Sequence, residues 1–187
     1  FDASQQQKNA SRAWAAKPFD IAAMPNDKLT ELATSQENAW WGRRARLELQ
    51  RRAARGDDMS AIRKQFMEAY GGSIEPAVCL SALWGLHVTG GLPDAGLLKM
   101  CGNKHETVRR WSVRLIFEDG KADAKVHEEL RHWARLERPV VQLELASSLQ
   151  RMPLEQRWGI AAGLVADERL NQDHNLPLMI WYGIEPA

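Results

Sequence analysis

Residues 41–49 read WGRRARLEL, and four later segments can be laid over them. These are VCLSALWGL (78–86), VRRWSVRLI (108–116), VQLELASSL (141–149) and LPLMIWYGI (176–184). The first position holds Trp41, Val78, Val108, Val141 and Leu176. The fifth holds Ala45, Ala82, Ser112, Leu145 and Ile180, and the ninth Leu49, Leu86, Ile116, Leu149 and Ile184. Residues four apart share one face of an α-helix, so these positions predict an apolar stripe along each segment. Successive segments start 37, 30, 33 and 35 residues apart. That is the period of a helical pair repeated along a chain.

Strand signals are scarce between the segments. Runs rich in Ala, Leu, Arg, Glu and Gln are broken at Arg55-Gly56-Asp57-Asp58, Gly71-Gly72-Ser73, Gly90-Gly91-Leu92-Pro93, Glu118-Asp119-Gly120, Met152-Pro153 and Asn171 to Asn175. A shorter helix is expected before each stripe, over 27–34, 58–70, 94–100, 123–136 and 154–168. Several of these open with Asp, whose carboxylate can accept from the unpaired N–H groups of a first turn. One helical pair cannot bury both its faces, whereas stacked pairs share a continuous core. The expected fold is therefore all-α, an α-solenoid of about five helical pairs over residues 26–187. Residues 1–25 fall outside the pattern and read as an extended lead-in or linker, with Trp14 and Phe19 as docking points.

Composition narrows the function classes. The 187 residues carry 25 Lys+Arg against 24 Asp+Glu, a net charge of +1, without the basic excess usual in a domain that lives on a polyanion. No apolar run is long enough to span a membrane. The first residue is Phe1 rather than Met, and the polar opening FDASQQQKNASR is unlike a signal peptide, so the chain reads as a processed protein or a piece of a longer one. Cys79 and Cys101 form no metal-like or haem-attachment spacing and are expected to be buried free thiols.

Positive charge is concentrated locally. Six arginines lie between Arg43 and Arg55. On a helical wheel they scatter: with Trp41 at zero, Arg44, Arg51 and Arg55 fall at about 280–320°, Arg46 and Arg43 near 140° and 200°, and Arg52 near 20°. Glu48 is placed to pair with Arg44 and Arg52. This favours a solvated, ion-paired face over a helix that tracks phosphates. Arg109, Arg110 and Arg114 form a second cluster, and together with Arg43 they are the candidate partner or anion surface. The eight tryptophans include Trp41, Trp84, Trp111 and Trp181 at the first, seventh, fourth and sixth aligned positions. Without one fixed register, they read as packing between units rather than a platform for bases or sugars. The five histidines have no metal-ligand spacing, and no nucleophile elbow, phosphate loop or dinucleotide fingerprint occurs. The residues thus predict no catalytic group, no metal and no cofactor, and they name no small-molecule ligand.

The first unit, DKLTELATSQENAWWGRRARLEL (27–49), joins a short amphipathic helix to Asn-Ala-Trp-Trp. The last, DHNLPLMIWYGIEP (173–186), leads through Asn-Leu-Pro into an aromatic helix. Degenerate pairs of this period resemble HEAT repeats. These two units resemble, more narrowly, the HEAT segment of exported bacterial proteins known as membrane-bound dehydrogenases, with the likeness covering roughly residues 17–187. In that family the segment follows a six-bladed propeller and often precedes a c-type cytochrome domain. This chain has neither a propeller nor a Cys-x-x-Cys-His site, so the resemblance implies a connecting scaffold in an oxidoreductase-like protein rather than an enzyme. It also implies an exported, periplasmic location, with neighbouring domains or a partner protein as the ligands. The competing class is a nucleic-acid-binding HEAT-like protein with a basic concave face, such as the helical-repeat alkylpurine DNA glycosylases. The HEAT-like bilin lyases are a third.

Overall fold

The computed structural model describes residues 20–120 and 122–185, and these are all-α, with no strand among them. Ten α-helices follow in order: α1 (Asn26–Thr34), α2 (Ala39–Ala54), α3 (Ser60–Gly72), α4 (Pro76–Val88), α5 (Asp94–Met100), α6 (Glu106–Ile116), α7 (Ala124–Ala134), α8 (Pro139–Ser148), α9 (Leu154–Val165) and α10 (Leu176–Ile184). Trp14 and Phe19 lie outside the described residues. The described end of the expected lead-in is not wholly extended: Ile21–Ala23 form one 3-10 turn that docks on α2.

Local chemistry explains the helix starts. Asn38 accepts from the N–H groups of Trp40 and Trp41, and Asp123 accepts from that of Val126. Asp58 and Asp173 do the same just ahead of α3 and α10, at Ser60 N and at Asn175 N and Leu176 N. Those hydrogen bonds stabilise the anions, so both carboxyls titrate below their ordinary value. Pro76, Pro139 and Pro177 occupy first-turn positions, where a missing N–H costs nothing. At the far end of α4, Gly90 adopts φ +70°, a left-handed conformation that lets Gly91 N–H reach back to Leu86 O at 2.8 Å.

The stripe is the core. All five residues at the fifth aligned position are buried, and so are Leu49, Leu86, Ile116 and Leu149 at the ninth. Packing follows the alignment: α2 contacts α4, α4 contacts α6, α6 contacts α8, and α8 contacts α10. The second helices thus form one continuous row, and the buried cluster beneath them runs from Ile21 to Ile180. The first helices touch along α1–α3 and α5–α7–α9. The fourth pair departs from this pattern, because α7 packs on α9 and α8 on its row neighbours rather than on each other.

A polar clasp holds that fourth pair. Gln142 Nε2 on α8 donates to Ala134 O at the end of α7 (3.0 Å) and to Asp167 Oδ2 beyond α9 (2.7 Å). Arg169 grips both oxygens of Asp167 through its guanidinium and donates to Glu137 O at 2.9 Å. The Arg169 side chain and N–H, then Gln142, hold the buried Asp167 carboxyl well below the usual carboxylate range.

Two outcomes follow from this packing. A Cβ added at Gly85 would overlap the buried Phe66 ring of α3, whereas one at Gly71 would meet nothing. Gly85→Ala should therefore cost about 1–3 kcal/mol in a urea titration, and Gly71→Ala should be neutral or slightly stabilising. Because the folded pKa of Asp167 is depressed, its clasp is fully present above the unfolded value of about 4 and is lost as pH falls toward the folded value. Asp167→Asn should lower Tm by about 3–6 °C at pH 7, with the gap closing below about pH 4 in parallel thermal melts.

Candidate functional site

The residue types that suggested a binding surface converge on the row of second helices. Trp84 of α4 meets Trp111 of α6 edge to face, with centroids 4.9 Å apart and planes at 85°. They hold the seventh and fourth aligned positions, yet the packing of α4 on α6 makes them neighbours. The Arg46 guanidinium of α2 lies 5.1 Å above the Trp84 ring, and that of Arg114 lies 5.2 Å above Trp111. Arg46 also donates to Ala33 O at 2.7 Å, tying α2 to the end of α1. Burial, and then the neighbouring charge of Arg43, lower the Arg46 pKa from its ordinary value.

Glutamates complete the arrangement. Glu144 of α8 is buried and accepts from Arg110 Nε at 3.1 Å, with Arg114 Nη1 3.7 Å from its other oxygen. Arg109 makes a bidentate pair with Glu137, its Nε and Nη2 lying 2.9 and 3.0 Å from the two oxygens. Its Nη1 donates to Asn103 O at 3.0 Å. This pair walls an open cleft of about 400 Å³, shared with Cys101 and Trp133. Burial pushes the Cys101 thiol up to about 12, so it offers no thiolate to that cleft.

Of the four candidate surface residues, Arg110 and Arg114 come together on Glu144. Arg109 turns away to Glu137. Arg43 is exposed on α2, with α4 between it and α6, and it has no hydrogen bond or ion pair among the described residues. The expected pairing of Glu48 holds for Arg52 (3.0 Å), but its second arginine is Arg51 at 3.8 Å rather than Arg44. The Arg44 guanidinium lies 5.8 Å over the Trp40 ring instead.

Sequence reasoning missed Glu137, Glu144 and the carbonyl partner of Arg46. Glu144 left a readable trace, an acid in the otherwise apolar VQLELASSL. The carbonyl left none, since every residue has one. Chemically, apart from Arg43, the arginines of the row described above are matched to carboxylates, ring faces and carbonyls. Among the described residues no group of three His, Cys, Asp or Glu side chains could hold a metal ion. His127 directs Nδ1 to Asp123 O at 2.7 Å and packs beside Phe117. Among the described residues, no helix is long and apolar enough to cross a membrane. No family model matches the chain, and no curated protein or solved structure matches it.

Proposed function

We propose that the chain is an α-solenoid of about five HEAT-like pairs that acts as a non-catalytic scaffold for neighbouring domains or a partner protein. The continuous row of second helices supports the architecture, because each unit contacts chiefly its neighbours. The observation that carries the functional reading is the locked state of the arginine row: Arg110 and Arg114 sit on Glu144, and Arg109 sits on Glu137. Apart from Arg43, the arginines of this surface are paired within it and are less available to an outside polyanion. The likeness of the first and last units to the membrane-bound dehydrogenase HEAT segment supports reading the chain as part of an exported, periplasmic oxidoreductase-like protein whose redox chemistry belongs to other domains.

A nucleic-acid role would use a stripe of free cations and open ring faces. Here one face of Trp84 and of Trp111 is occupied by a guanidinium, and each ring meets the other. The scaffold reading therefore has the stronger support.

Two measurements test it. In fluorescence anisotropy at about 50 mM salt, a labelled random duplex should show no binding up to roughly 10 µM protein. Submicromolar affinity that falls steeply with added salt would favour the nucleic-acid class instead. Removing residues 153–187 should leave a helical, cooperatively unfolding chain with a lower Tm, since the first three units keep their contacts while α7 loses its packing on α9. Collapse of the circular dichroism signal to that of a coil would refute the solenoid.

A further inference from the structure

The last described pair differs from the others in what it leaves uncovered. The sixth aligned position is Leu83 in α4, Val113 in α6 and Ala146 in α8, exposed by 0%, 1% and 1%. Each of those helices has a following helix packed on it. In α2 the sixth residue is Arg46, which reaches Trp84 of the next unit. In α10 it is Trp181, and this ring is 60% exposed. Leu178 and Tyr182 share its face and are exposed too.

The partner helix repeats the pattern. Gly159 and Gly163 turn the inner side of α9 onto Arg131 and Ala134 of α7. Opposite them, Leu154, Trp158 and Val165 fall within about 40° of each other on the wheel, and all three are exposed. Both helices of the pair therefore point large apolar residues outward, where a further unit would stack. The three aromatic rings and three aliphatic side chains leave roughly 600 Å² of apolar surface open, at the upper end of what monomers show.

At the opposite end of the described stack the outer face of α1 is polar, although α2 there exposes Trp40 and Leu47. There α1 turns Asp27, Lys28 and Glu31 to solvent, with Lys28 Nζ 2.8 Å from Glu31. A terminal repeat usually needs such a polar outer face. Among the described residues, α1 has such a face and the α9–α10 pair does not.

We propose that the open face of α9 and α10 is a self-association surface, on which a second copy of the chain stacks its own α9 and α10 across a two-fold axis. The asymmetry of the ends selects this geometry. A head-to-tail contact would press the apolar face onto the polar outer face of α1, whereas an isologous contact buries both apolar faces and closes. The open apolar area is close to the approximately 800 Å² per partner of a standard interface. Exposed Arg151, Glu155 and Glu185, in or next to these helices, carry both signs, so a two-fold contact need not oppose like charges. Trp158, Trp181 and Tyr182 are the side-chain types that dominate binding energy at such contacts. The inference stands on helix packing and exposure alone, so it survives or fails independently of the partner proposed for the second-helix row.

Sedimentation equilibrium of the full chain from about 1 to 100 µM tests it. The expected result is a monomer–dimer equilibrium that stops at two copies. Trp158→Glu and Trp181→Glu should each weaken it by about 100-fold or more while leaving the helical circular dichroism unchanged, and Trp40→Glu, on α2 at the other end, should leave it intact. A wild-type chain that remains monomeric at 100 µM overturns the proposal, whatever the variants do. So does an open series of oligomers, or a dimer that Trp40→Glu abolishes and Trp181→Glu does not.

Discussion

A helix striped with apolar residues at every fourth position has to be covered along that stripe, and one partner helix is too narrow to do it. Every other feature of this chain follows from how that cover is supplied. Four of the five second helices lie between their own first helix and their row neighbours, and the fifth position is sealed in every unit and the ninth in all but the last. The eighth position faces the closest approach. It is Gly85 where the Phe66 ring arrives and Gly183 where Leu149 arrives, both sites where a methyl group would collide. Close packing of this kind fixes the axial offset between neighbours.

Arginine supplies the polar half of the same task. Helix ends leave carbonyls without partners, and a planar guanidinium with five donors can reach several at once. Arg46 donates to Ala33 O, and Arg63 to Thr89 O at the end of α4. Arg157 donates to Met152 O, Gln150 O and Gly183 O, joining the ends of α8 and α10 through α9. These side chains bury their stems over apolar neighbours and close helix ends. The near-neutral net charge comes from 24 Asp+Glu against 25 Lys+Arg, while these carbonyl contacts fix the guanidinium groups in place without cancelling their charge.

This division explains what could be read in advance. The stripe depends only on residue class, so the register of all five second helices was legible, and α5 fell over Asp94–Met100 as expected. The first helix of the opening unit shifted by a single residue, to Asn26. Lateral facts were not legible. Whether Glu48 takes Arg44 or Arg51 depends on what else Arg44 can reach, and the Trp40 ring is nearer to hand. The meeting of Trp84 and Trp111 depends on how α4 packs on α6, which no single helix encodes. Asp167 and Arg169 lie close to a stretch read as a break, with nothing nearby to announce Gln142 as their partner.

The fourth pair joins these two kinds of contact. Its helices are the ones that pack least on each other, and hydrogen-bonded side chains collect there. Gln142 joins α8 to the last turn of α7 and to Asp167, while Arg169 spans from Asp167 to Glu137 O. Glu137, in the connection between α7 and α8, also receives Arg109 from the third unit. Apolar contact is non-directional and would let two splayed helices slide or rotate. Charge-assisted hydrogen bonds with defined geometry do not permit this. Directional bonds thus hold an angle that packing alone leaves loose, and they link the third, fourth and fifth units through one connection.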